Sequence, residues 1–130
     1  ASVLLNKLTI FDDELLSRQK ISSYYSNSLE NLLETPYISD ENFSSWAQYS
    51  LLASDENSRN EIVELLNEND IPTAIYYKNI FSKMSLYNCR KSFPISEKIS
   101  KRIFSIPMHP YLTKSEMDKI IDLIIKYFKK

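Results

Sequence analysis

Apolar residues recur at three- and four-residue spacing through the first 33 positions, at Leu4, Leu8, Phe11, Leu15 and Leu16, then at Ile21, Tyr24, Tyr25, Leu29 and Leu32. That period is helical, and no proline or glycine interrupts it, so the pattern predicts one long helix. Asp12, an N-cap candidate followed by Asp13 and Glu14, predicts a break or kink near its position. Thr35-Pro36 ends the helix, because a residue before proline is pushed out of the α region. A polar connector carrying Tyr37, Ile38 and Phe43 follows. From Trp46 to Ala53 the period changes to two, with Ala47, Tyr49 and Leu51 on one face of a predicted strand. Ser58 and Glu61 form a capping-box pattern ahead of Ile62, Val63, Leu65 and Leu66. That helix is predicted to stop at Asn69, since asparagine tolerates the left-handed conformation that closes helices. Ile71 to Tyr77 then reads as a second strand, with Thr73, Ile75 and Tyr77 opposite Ala74 and Tyr76.

Residues 78–92 read as irregular or briefly helical. Ser92-Phe93-Pro94 opens a helix with proline just inside, where its missing N–H costs nothing. Ile95, Ile99 and Ile103 form the stripe of that helix. Pro107 and Pro110 hold 106–112 extended, and a short third strand fits Ile103 to Ile106. Thr113 and Glu116 make another capping box, ahead of an apolar stripe at Met117, Ile120, Ile121, Ile124, Ile125 and Phe128. Lys126, Lys129 and Lys130 sit at the negative end of this last helix, as its dipole prefers. The order predicts an α/β chain of the α+β type: a connecting helix over 1–33, then β-α-β and two helices over 34–130, with a short sheet flanked by helices. A chain of 130 residues buries one core rather than two.

Composition narrows the classes of function. The 16 basic and 17 acidic residues are interleaved, leaving no basic stripe to neutralise phosphate backbones, so nucleic acid is an unfavoured partner. No apolar run approaches the roughly 20 residues of a membrane span. A single cysteine, Cys89, cannot form an internal disulfide and fits a reducing, cytoplasmic compartment. Glycine, at about 7% of an ordinary chain, is absent. Glycine-rich phosphate cradles are thereby excluded. Coding bias toward Asn, Ser, Ile, Lys and Tyr explains the absence, as does a glycine-rich cofactor-binding part lying outside this stretch. One histidine and one cysteine cannot build a soft-ligand metal site. Asp12-Asp13-Glu14 reads as a helix start and Asp40-Glu41 as a solvated loop. His109, without a nucleophile or orienting group, reads as a turn histidine satisfying local carbonyls. No catalytic, cofactor or metal site is complete in this sequence.

Three blocks remain: Asp70-Ile71-Pro72-Thr73-Ala74-Ile75-Tyr76-Tyr77, Phe93-Pro94-Ile95-Ser96-Glu97-Lys98, and Ser105-Ile106-Pro107-Met108-His109-Pro110. In this order they resemble the C-terminal domain of the DegT/DnrJ/EryC1/StrS family of pyridoxal-phosphate (PLP) sugar aminotransferases. The family carries a Gly-Ile-Pro-Thr-x-x-His-Tyr-Pro strand, a Phe-Pro-x-x-Glu-Lys helix start and a Ser-Leu-Pro-Met-His-Pro turn. Ser45-Trp46-Ala47-Gln48-Tyr49 resembles a strand of members that aminate UDP-linked 3-oxo sugar acids for O-antigen assembly. Ala1 to Leu8 resembles the opening of the helix leading into that domain.

The resemblance implies the small, mostly antiparallel C-terminal domain of a fold-type-I aminotransferase that moves an amino group from glutamate to a UDP-linked keto-sugar. It also implies a large PLP-binding domain and a homodimer as partners. The Schiff-base lysine, and the asparagine and arginine that reach the partner's site, are expected in a segment before Ala1, so no activity is expected from this chain alone. Tyr77 matches the family tyrosine that helps form the sugar-nucleotide pocket. Tyr76 replaces a histidine, Lys78 a proline and Ser82 a second histidine. Adjacent strand residues point to opposite faces, so one of Tyr76 and Tyr77 can present its hydroxyl to a cleft while the other packs. For Tyr77 a core or interface role is the alternative. For the whole chain, the alternative is a stand-alone, non-catalytic interaction or dimerisation module that kept the fold.

Overall fold

The computed structural model describes residues 2–87 and 91–129, so Cys89 and Lys130 lie outside the described residues. The single long helix expected over 1–33 is two helices, α1 (Ser2–Leu8) and α2 (Phe11–Leu29). The break falls at Thr9-Ile10, slightly before the expected position. Thr9 Oγ1 donates to the Asn6 carbonyl at 2.7 Å, closing the last turn of α1. Asp12 lies inside the first turn of α2, and the N-cap is Ile10, with no side-chain cap bond. After Leu29 the Leu32 and Leu33 amides turn back onto its carbonyl, each at 2.9 Å. Leu33 thereby reaches the core before Thr35-Pro36 is met.

β1 (Tyr49–Leu52) and β2 (Ile103–Ile106) pair antiparallel, Tyr49 opposite Ile106 and Leu52 opposite Ile103. Each is extended by one isolated bridge, Glu34 beside Leu52 and Ala74 beside Ser105. β1 is shorter than the 46–53 expectation because Trp46 takes a left-handed backbone, φ 48°. Its ring turns into the core, where Nε1 donates to Gln19 Oε1 at 2.8 Å.

The strand expected over Ile71–Tyr77 is reduced to the single Ala74–Ser105 exchange, at 3.1 and 2.7 Å. In an antiparallel ladder the next hydrogen-bonded pair lies two residues along. Here that pair is Pro72 with Pro107, neither of which has an N–H to give. At the other end Tyr77, φ 60°, turns the chain away.

α3 (Glu56–Glu68) begins two residues before the expected cap. Asp55, not Ser58, is the N-cap, and its carboxylate accepts the Ser58 amide at 2.9 Å. Asn69 closes the helix as expected, but the left-handed residue is Asp70, φ 60°. Short 3-10 turns at Phe81–Lys83 and Ser85–Tyr87 lead towards α4 (Pro94–Arg102), with Pro94 in its first turn. The Ile95–Ile99–Ile103 stripe is not a core stripe: α4 buries no residue, and Ile95 and Ile99 are exposed. α5 (Lys114–Phe128) carries the expected Thr113/Glu116 capping box and drives Ile120, Ile121 and Ile124 inward.

These elements close around Tyr25, Leu29, Tyr49, Leu51, Ile62, Leu66, Phe104 and Ile124, all fully buried. Tyr25 and Tyr49 pack at 5.2 Å between ring centroids, their planes tilted by 47°, and burial pushes both hydroxyls above their ordinary pKa. α2 also fixes the proline-rich stretch after β2. Tyr25 OH donates to the Pro107 carbonyl at 3.2 Å, and Ser17 Oγ to that of Pro110 at 2.6 Å.

Candidate functional site

The two tyrosines singled out in the sequence occupy a turn that projects from the edge of the sheet. Ala74 is the last residue held by the ladder, so the chain is free to turn immediately after it. Tyr77 is 77% exposed. It lines a hollow of about 430 Å³ together with Asn79, Ile80, Phe81, Ser82, Phe93 and Ser96. One wall comes from the 77–82 turn and the other from the start of α4. The walls are tied by Glu97, whose carboxylate accepts the Phe93 amide at 3.3 Å and pairs with Lys83 at 3.3 Å. The Phe93 amide first, then Lys83, holds the Glu97 carboxyl below its ordinary value.

Tyr76 faces elsewhere. It lines a smaller hollow of about 190 Å³ with Gln48, Pro72, Ala74, Ser105 and Pro107, against the sheet edge. The structure thus separates the two adjacent rings. It brings Tyr77 together with Ser82, which stands where the resembling family has a second histidine. Ser82 Oγ is buried and has no hydrogen-bond partner among the described residues. A hydroxyl left in that state favours an incoming donor or acceptor. Asn79, Phe93 and Ser96 complete the hollow without having been singled out as site residues. The signal for Phe93 was its place just before the helix-opening proline.

His109 is exposed in a turn where the Leu112 amide donates to the His109 backbone carbonyl at 3.3 Å, a bond made by the backbone and not by the imidazole that the sequence reading invoked. Among the described residues no group of three or more His, Cys, Asp or Glu side chains could hold a metal ion. No helix there is long and apolar enough to cross a membrane. Nor do the residues fit PLP. Its aldimine needs a sheltered lysine, and every described lysine is exposed. What the geometry supplies is an apolar, aromatic hollow with one unpaired hydroxyl, Ser82 Oγ, at its wall.

A lobe of this architecture is found in sugar aminotransferases. The chain matches the DegT/DnrJ/EryC1/StrS aminotransferase family over residues 1–125, and it belongs to that family. It is 34% identical over 123 residues to the UDP-2-acetamido-2-deoxy-3-oxo-D-glucuronate aminotransferase of Pseudomonas aeruginosa, covering 93% of this chain and 33% of that protein. It is 27% identical to the dTDP-3-amino-3,6-dideoxy-alpha-D-galactopyranose transaminase of Aneurinibacillus thermoaerophilus, over 98% of this chain and 35% of that one. A crystal structure of a DegT DnrJ EryC1 StrS aminotransferase from Brucella abortus superposes with a TM-score of 0.90 at 35% identity, over 98% of this chain and 35% of that one. The chain spans about a third of the length of these relatives. Its fold is the small domain of fold-type-I aminotransferases, a short antiparallel sheet flanked by helices.

Proposed function

We propose that this chain is the substrate-facing small domain of a PLP-dependent sugar-nucleotide aminotransferase, which transfers an amino group from glutamate to a UDP-linked keto-sugar for cell-surface polysaccharide. The observation that carries the reading is the 34% identity to the Pseudomonas enzyme over nearly the whole chain. In this reading residues 1–33 lead from a large PLP-binding domain into the lobe formed by 34–130, and the working enzyme is a cytoplasmic homodimer. PLP, when bound, supplies the electron sink for amino transfer. The residues described here are not its seat, so the isolated chain is inactive and takes up PLP without saturable, one-to-one stoichiometry.

Within that enzyme Tyr77 binds substrate through its hydroxyl, and Tyr76, in the position of a family histidine, tunes which sugar is accepted. The exposure of Tyr77 in an open hollow supports this role over a core role. The test joins this domain to an intact large domain of the family and compares Tyr77→Phe with the unaltered tyrosine on a UDP-keto-sugar. Loss of a hydroxyl–substrate bond lowers kcat/KM by about 0.5–1.5 kcal/mol, or up to ~3 with a charged partner. Folding stability stays unchanged. Equal efficiency of the two versions overturns the assignment.

A further inference from the structure

The segment that carries Tyr77 contains two arrangements that cost free energy. Tyr77 sits at φ 60°, and Ser82 Oγ is buried without a partner among the described residues. A bulky residue in the left-handed region and an unpaired buried hydroxyl both relax when the chain around them is free to move. The segment therefore needs a tie from outside.

Its own bonds do not supply one. The Lys83 and Met84 amides donate to the Ile80 and Phe81 carbonyls at 3.0 and 3.1 Å, and Phe81 packs edge-on against Tyr87. All of these stay within the segment. Among the described residues, one polar link joins residues 75–87 to the rest of the lobe: Lys83 Nζ to Glu97 Oε1, at 3.3 Å. The same oxygen accepts the Phe93 amide at 3.3 Å and the Ser92 hydroxyl at 3.4 Å. Glu97 is thus fixed near the N-terminus of α4, where a carboxylate also suits the helix dipole. α4 is itself moored, because the Ala53 amide just past β1 donates to the Arg102 carbonyl at 3.1 Å.

We propose that Lys83 and Glu97 are positioning residues for the substrate. Their ion pair straps the Phe81–Lys83 turn to α4 and sets the gap between the Tyr77 and Ser82 wall and the Phe93 and Ser96 wall. The inference rests on the substrate-facing reading above and deepens it. Neither side chain lines the Tyr77 hollow, so each acts through the walls that it joins. The side chains of Lys83 and Glu97 are 61% and 30% exposed, so solvent screens the pair. Its loss is expected to favour opening of the turn by roughly two- to fivefold.

The first test is amide hydrogen exchange by NMR on the 130-residue chain. Lys83→Met keeps an unbranched stem and removes the charge, whereas Glu97→Gln keeps an oxygen for the Phe93 amide. Either change should speed exchange at Lys83 and Met84 by the same two- to fivefold, and leave Ile121 and Ile124 of α5 unchanged. The double variant should go no further than either single one. Lys83→Arg should restore the parent rate, and added salt should loosen the parent but not the Met variant. The second test uses the joined enzyme on a UDP-keto-sugar. Lys83→Met should raise KM about twofold with kcat unchanged, the mark of lost ground-state and transition-state binding alike, and Lys83→Arg should reverse it.

Unchanged exchange in the turn, effects of the two single variants that simply add, or an unchanged KM overturns the proposal. A lowered urea midpoint with KM unchanged also overturns it, since the pair would then serve only the fold. If Tyr77→Phe lowers kcat/KM while Lys83→Met leaves KM alone, the strap falls and the substrate-facing reading stands. If Lys83→Met raises KM while Tyr77→Phe is silent, the Tyr77 hydroxyl loses its role and the strap stands.

Discussion

Among the described residues three adopt a left-handed backbone, in a chain that has no glycine: Trp46, Asp70 and Tyr77, at φ 48°, 60° and 60°. For Asp70 the geometry explains itself. The Asp70 amide donates to the Asn67 carbonyl at 3.1 Å and the Ile71 amide to that of Leu66 at 3.0 Å, the pair of bonds that closes a helix in the Schellman manner. Leu66 and Ile71 meet in the core, the apolar contact that accompanies the motif. Glycine is the usual residue at this place, and the family motif carries glycine there. Aspartate is among the few other residues that visit the region readily. Asp70→Gly is therefore expected to leave stability unchanged or raise it by up to about 1 kcal/mol, whereas Asp70→Ala lowers it by about 1 kcal/mol. Urea midpoints at constant m-value decide the matter, and an alanine variant as stable as the glycine one would refute the account. Trp46 and Tyr77 are bulkier, and residues held there cost on the order of 1–3 kcal/mol. Trp46 is compensated by its buried ring, its bond to Gln19 and the Arg18 contact to its carbonyl at 3.2 Å. Tyr77 has no such anchor among the described residues and is 77% exposed.

At the scale of elements, the joints are held by a few polar clusters. Glu14, nearly buried at the start of α2, accepts from Lys7 of α1 and from Tyr111 of the proline-rich stretch. The Lys7 bond, then the Tyr111 bond, lowers its pKa below the ordinary 4.5, and the same contact raises that of Lys7 above 10.5. A depressed carboxyl contributes stability above its unfolded pKa and loses it as pH falls through the folded value. A raised lysine contributes below its unfolded pKa and loses its share as pH rises through the folded one. The Glu14 cluster therefore acts between these limits. Glu14→Gln should be less stable than the parent at pH 7, with the two denaturation curves converging below the lowered Glu14 pKa. A difference that persists undiminished in acid would rule this out. Thr113→Ala removes the cap whose hydroxyl accepts the Glu116 amide at 3.3 Å, and should cost about 1 kcal/mol in thermal unfolding. An unchanged midpoint would show that α5 is held by its buried isoleucines alone. That cap was fully legible in the sequence, as were the Pro94 helix start, the Asn69 stop and β2, because each depends on neighbours in the chain. The 71–77 strand was misread because its failure is non-local: Pro72 blocks the ladder only because Pro107 lies opposite. Ile95 and Ile99 have the period of a core stripe, yet periodicity does not say what covers a face. The Tyr77 hollow was half legible, through Tyr77 and Ser82.

Across the whole molecule, the core draws on α2, both strands, α3 and α5, while α1 contributes no buried residue. Val3, Leu4, Leu5 and Leu8 are exposed on α1, and Ile10, Phe11 and Leu16 continue the apolar surface onto α2. Contiguous apolar surface of this kind drives association when nothing covers it. In the proposed enzyme the large domain or the second subunit covers it; in the isolated chain only another copy is available. The chain should therefore self-associate, with the average mass in sedimentation equilibrium rising with concentration. Leu4 and Leu8 lie one helical turn apart and are 69% and 64% exposed, so Leu4→Glu/Leu8→Glu changes this surface without touching the core. If both leucines are buried on association, their loss weakens it by about 3 kcal/mol or more, over a hundredfold in dissociation constant. Circular dichroism should show the fold unaltered. A parent chain that stays monomeric at high concentration, or a double variant that associates as strongly as the parent, would show that α1 is not the sticky surface.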